Sequence, residues 1–172
     1  MTPWANMHGG FIFGLVLIGP FALDAVMEAP AAARFSTARA WAGFALAAFA
    51  AALINPYGFD AFLLPFRVMS VENLSRISEW RPQDFSHVGT MELALLTLLG
   101  LALTRPLTMP PIRVALLIAL VAMALQHSRH QVLLGILAPM LLARPIALAI
   151  GSGTQAKRHG ASPFPWTPWR RW

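Results

Sequence analysis

Five blocks of mainly apolar residues alternate with polar stretches along the chain, near residues 10–27, 38–54, 90–104, 112–126 and 130–143. Each block holds about 14 to 20 residues, close to the roughly 20 that a helix rising ~1.5 Å per residue needs to cross a ~30 Å hydrocarbon layer. The pattern therefore predicts an all-α membrane protein of about five transmembrane helices. Pro20 lies inside the first block and predicts a kink, because it removes a helical N–H. The second block, ARAWAGFALAAFAAALI, is so rich in Ala that another helix can approach its backbone closely, which places it inside the bundle. The third and fourth blocks are short for a span. The fifth meets Arg144-Pro145, and residues 144–150 either extend that span or lie along the interface.

The longest interruption, residues 55–89, opens with Asn55-Pro56-Tyr57-Gly58. This predicts a turn in which Pro56 ends the helix and Gly58 takes a positive φ. Phe59, Phe62, Leu63 and Phe66 then recur at helical spacing, which predicts a short helix on the membrane surface, over about residues 59–68, with its aromatics turned inward. After the last block, residues 151–172 form a basic tail rich in Trp and Pro. Lys157, Arg158, Arg170 and Arg171 accompany Trp166, Trp169 and Trp172, so the tail is expected to lie extended against an anionic leaflet.

Composition supports the membrane reading: of 172 residues, 57% are hydrophobic and 12% charged, with a mean hydropathy of +0.59. An ordinary soluble domain carries about twice that charged fraction. The absence of Cys excludes disulfides, thiolate metal sites and cysteine nucleophiles. The net charge of +6 would suggest nucleic acid in a soluble protein, but here it reads as topology, and no nucleic-acid partner is expected. With the N-terminus outside, nine basic residues fall on the inner side (Arg34, Arg39, Arg105, Arg113, Arg144, Lys157, Arg158, Arg170, Arg171) and four outside (Arg67, Arg76, Arg81, Arg129). That split favours an outer N-terminus and a cytoplasmic C-terminus. Met1 to Gly9 lacks the basic start of a secretory leader, so the first span is expected to be retained. The polar and aromatic residues so near the start suggest a chain that begins within a larger unit.

The outer face would gather Trp4, Asn6, His8, Tyr57, Arg76, Glu79, Trp80, Arg81, Asp84, Gln126, His127, Arg129 and His130. Trp4 and His8, like Gln126 and His130, are four apart and would share a helix face. Arg129 and His130 suit a lipid-linked phosphate, since guanidinium holds phosphate oxygens bidentately and imidazolium adds a donor. Trp4, Asn6, His8, Arg76, Trp80, Arg129 and His130 are the substrate-binding candidates, and Glu79 is the catalytic candidate, as proton acceptor. The bland alternative for Arg129, Trp4 and Trp80 is that they anchor helix depth. His127 and His130 have the spacing of one helix face but no third ligand on the same element, so no metal site is assigned. Gly10 and Gly14 form a GxxxG, a signature of close helix packing. Asp24 and Glu28, four apart near the inner end of the first span, either relay protons or sit at the inner headgroups beside Arg34 or Arg39.

The ordered landmarks Trp4-Ala5-Asn6-Met7-His8-Gly9-Gly10-Phe11, Asn55-Pro56-Tyr57-Gly58, Ile77-Ser78-Glu79-Trp80 with Pro82 and Phe85, and Arg129-His130 resemble those in the C-terminal half of a group of bacterial polytopic membrane proteins similar to the GT-C membrane glycosyltransferases. The resemblance covers the chain to about residue 150. It implies the bacterial inner (cytoplasmic) membrane and a sugar donated from a polyprenyl-phosphate carrier on the outer side, with no other cofactor. In that superclass an acid in the first large outer loop activates the acceptor, and the members resembled carry an Asp with a Trp-His pair there. No segment of this chain matches that region. The expectation is thus the C-terminal membrane portion of a GT-C-like glycosyltransferase, not catalytic alone, with a separate N-terminal half, the lipid-linked sugar and the bilayer as its partners. The alternative is a non-enzymatic multi-pass subunit or scaffold. Transport fits less well, because the spans carry almost no midplane charge.

Overall fold

The computed structural model describes residues 1–71, 74–105 and 107–159. Those residues contain seven α-helices and no strand: α1 (Thr2–Met7), α2 (Phe11–Glu28), α3 (Arg34–Ala52), α4 (Asp60–Met69), α5 (Thr90–Thr104), α6 (Pro111–Gln126) and α7 (Gln131–His159). All five apolar blocks are helical. Two segments, Phe11–Glu28 and Ser128–Gly151, are long and apolar enough to cross a membrane. The remaining blocks fall short of that measure for different reasons. Helices α5 and α6 have 15 and 16 residues, whereas α3 has 19 but is diluted by Arg34, Ser36, Thr37 and Arg39. Helix α7 continues past Ser152, where the sequence suggests a loop, and the Trp- and Pro-rich end of the tail lies outside the described residues.

The chain divides into two compact units. In the first, Met1–Gln83 with Pro110–Gln131, α2 packs against both α3 and α6, and α1 lies on α3. Helix α2 runs unbroken through Pro20. Phe11, at its first position, is 1% exposed and shares a core with Ala52 of α3 and Ala61 of α4. Phe62 closes that core, with its ring centroid 5.4 Å from Phe11 and 5.1 Å from Phe49. Full burial of a Phe contributes about 2–3 kcal/mol, enough to fix α4 across the ends of α2 and α3. The turn between α3 and α4 follows the Asn-Pro-Tyr-Gly sequence. Asn55 Oδ1 accepts from the Tyr57 N–H at 2.7 Å, Asn55 Nδ2 donates to the Ala52 carbonyl at 2.7 Å, and Gly58 has φ +52°.

Helix α3 is not enclosed as its Ala content suggests: Ala48 and Ala52 are its buried residues, while Phe35, Phe44 and Leu46 are exposed. The small side chains serve the approach of α2, with α1 and α4 touching the C-terminal part of α3.

The second unit comprises Asp84–Met109 and Val132–Trp172. Helix α5 is capped by Glu92, whose carboxylate accepts the Gly89 N–H at 2.9 Å. Thr97 and Thr104 donate back to the carbonyls of Leu93 and Gly100, and Leu93, Leu96, Leu99 and Leu103 are exposed. In α7, Leu134, Leu137, Leu141 and Leu142 are buried.

Candidate functional site

One end of the first unit is built from three pieces of chain that meet. Helix α6 stops at Gln126 because His127 is extended (φ −144°, ψ 123°). A single 3-10 turn, Ser128–His130, then leads into α7. A second 3-10 turn, Ser78–Trp80, is followed by extended Arg81 before Pro82, as the residue preceding a proline prefers. The two turns are stitched together. The Ser128 N–H donates to the Arg81 carbonyl at 3.0 Å and the Gln83 N–H to the Leu125 carbonyl at 2.9 Å. The Ser128 hydroxyl donates to the Ser78 carbonyl at 3.2 Å, and Gln131 Nε2 donates to Gln83 Oε1. These bonds carry Trp80 to the α6 end, where the Arg129 guanidinium carbon lies 4.4 Å from the indole centroid. The His127 ring stands edge-on to the same indole at 5.8 Å, and His130 is 5.7 Å from His127 and 5.2 Å from Phe13 of α2.

These groups line a cavity of about 430 Å³. Its polar rim is His8, Gln126, His127, Arg129 and His130, beside Trp80. Its apolar wall comes from Phe13, Met123 and one face of α4, namely Leu64, Pro65, Val68 and Met69. Among the described residues no carboxylate lines it, so a guanidinium stacked on an indole and three imidazoles face an apolar surface with no internal counter-charge. Such a cavity suits an amphiphile with an anionic head.

Of the residues singled out from the sequence, His8, Trp80, Arg129 and His130 are brought together here. Trp4, Asn6, Arg76 and Glu79 are not among the lining residues. Asn6 is engaged in joining α1 to α3: its Nδ2 donates to the Ile54 and Thr2 carbonyls, both at 2.8 Å. Trp4 lies over Gly14. Arg76 and Glu79 sit in 3-10 turns with exposed side chains. Trp4 and His8 do not share a helix face, because α1 ends at Met7 and His8 is extended (φ −157°, ψ 130°). Gln126 and His130 likewise belong to different elements, yet both reach the cavity. The α4 wall escaped the sequence reading, which assigned that helix to the membrane surface. Its signal was the spacing of Leu64, Pro65, Val68 and Met69, a second apolar face beside the aromatic one. No group of three or more His, Asp or Glu able to hold a metal occurs among the described residues.

A second polar cluster lies at the other end of α2 and α6. Arg113 Nε donates to Asp24 Oδ2 at 2.8 Å and its Nη2 to Glu28 Oε2 at 2.9 Å. Asp24 is 7% exposed, and its Oδ1 has no hydrogen-bond partner among the described residues. The counter-charge is therefore Arg113, from the facing antiparallel helix, and not Arg34 or Arg39. Arg34 instead donates to the Ala29 carbonyl at 3.3 Å. Asp24 follows Gly10 by 14 residues and Arg113 precedes His127 by 14, which puts the cluster about 20 Å along the helices from the cavity.

No protein-family model, no curated protein and no solved structure matches the chain.

Proposed function

We propose that the chain is a multi-pass membrane protein whose five long apolar helices cross the bacterial inner membrane, with the cavity on the outer side and the C-terminus in the cytoplasm. In this reading it is the C-terminal, carrier-binding portion of a GT-C-like glycosyltransferase that uses a polyprenyl-phosphate-linked sugar. Support for the membrane comes from large apolar side chains exposed on every long helix, among them Val16, Leu46, Leu96, Ile118 and Met140. In water such surfaces would drive association. Helices α5 and α6 reach only about 23 Å, a mismatch that local thinning of the bilayer accommodates at modest cost. The ion cluster of Asp24, Glu28 and Arg113 then lies toward the inner headgroups.

The carrier assignment rests on one observation: Arg129, His8, His127 and His130 converge on a cavity that no carboxylate among the described residues lines and whose opposite wall is apolar. A polyprenyl phosphate presents a phosphate and an isoprenoid chain to such a pair of surfaces. Its binding to the purified full chain in nanodiscs tests this, with decaprenyl phosphate against decaprenol. Decaprenyl phosphate is expected to bind more tightly than the alcohol, and Arg129→Ala to weaken it about tenfold or more. Equal affinity of the variant removes the assignment.

The placement of Glu79 outside the cavity favours a second reading, a non-enzymatic subunit or scaffold, since no described carboxylate is positioned to activate an acceptor. Release of sugar from a polyprenyl-phosphate donor by the chain, alone or with a separate N-terminal half, tells the two apart.

A further inference from the structure

The glycine pair at the start of α2 does not receive another long helix. A Cβ at Gly14 would stand 2.5 Å from Trp4 Cζ3 and 3.0 Å from Met1 Cε, and a Cβ at Gly10 would stand 2.7 Å from His8 Nδ1. The Trp4 indole and the His8 imidazole thus occupy the volume that two missing side chains leave on one helix face. Helix α1 is tied down independently, because the Thr2 hydroxyl donates to the Ala51 carbonyl at 2.8 Å and Asn6 donates to Ile54.

Within this seat the Gly10 N–H donates to His8 Nδ1 at 2.8 Å. A neutral imidazole has one N–H and one lone pair. Since Nδ1 accepts here, the proton resides on Nε2, and a ring that lines the cavity offers it a donor and no base. Resting on the carrier reading for the identity of the ligand, we propose that His8 is a neutral Nε2–H donor to the carrier's phosphate, its tautomer fixed by the Gly10 amide, with Trp4 and Gly14 as positioning residues. Arg129 supplies the charge, and His8 adds direction without adding charge.

Two substitutions separate the nitrogens. His8→Asn keeps an acceptor near the position of Nδ1 and loses the reach of Nε2, while His8→Gln places an amide N–H near Nε2 and forfeits the bond from Gly10. The experiment combines 15N NMR of histidine-labelled full chain in nanodiscs with decaprenyl phosphate binding. Expected are an Nε2–H tautomer for His8 in the wild type and a tautomer mixture in Gly14→Ala. His8→Asn should bind about tenfold more weakly, and His8→Gln should recover most of the loss. An Nδ1–H tautomer in the wild type, or wild-type affinity in His8→Asn, overturns the proposal. Absence of any binding by a wild type that shows the Nε2–H tautomer overturns the carrier reading and the donor role while the tautomer stands, so the two failures are distinct.

Discussion

Arg113→Met should be among the most damaging single changes in the first unit, and the ion cluster sets its size. Removing one partner of a fully buried pair costs about 3–5 kcal/mol, because the remaining charge is left without compensation. The side chains of Asp24, Arg113 and Glu28 are 10%, 22% and 45% exposed, so the loss falls mainly on Asp24 and the expected cost is about 2–4 kcal/mol. Asp24 has no reserve partner among the described residues, since its Oδ1 is already buried without one. Adding Asp24→Asn to Arg113→Met should restore at least half of the loss, because a neutral amide is far less costly to bury than an unpaired carboxylate. Glu28→Gln alone should cost under about 1 kcal/mol, as for exposed pairs. Thermal unfolding of the full chain in detergent measures all three, with Arg113→Met lowering the midpoint by roughly 5–12 °C. A midpoint unchanged in Arg113→Met, or a double variant no more stable than the single one, refutes the reasoning.

In the same assay Gly14→Ala should destabilise by about 1–3 kcal/mol through overpacking against Trp4, and Trp4→Ala in that background should relieve part of the loss. Gly58→Ala should cost about 1 kcal/mol for its positive φ, and Gly58→Asn less, since nothing crowds the Cβ position and the penalty is one of backbone conformation. The Ser86 backbone N–H, at 2.8 Å from Asp84 Oδ1, holds that carboxyl below the usual carboxylate range. Its small contribution is thus present above the unfolded pKa and lost as pH falls through the lower folded one. Carboxyl 13C titration should place the Asp84 midpoint below 3.8, and Ser86→Pro, which lacks the N–H, should raise it.

The long apolar helices, their order and the turn at Asn55–Gly58 were legible in the chain, because these depend on apolar runs, proline and glycine acting within a few residues. The sequence also marked His8, Trp80, Arg129 and His130, which adjoin helix ends where polar side chains emerge from apolar surroundings. Tertiary packing decided the rest. Arg113 became the partner of Asp24 because two antiparallel helices bring residues 89 positions apart to the same height, a distance that no local pattern encodes. The Gly10–Gly14 pair had several possible guests, and it was the fastening of α1 by Thr2 and Asn6 that made the guest Trp4. Glu79 and Trp80 are neighbours in sequence, yet the stitching of their turn to the end of α6 sends the indole to Arg129 and leaves the carboxylate outside. Local sequence sets which residues can form a helix or a turn, but the direction in which a turn presents each side chain depends on hydrogen bonds and surfaces supplied by distant parts of the chain.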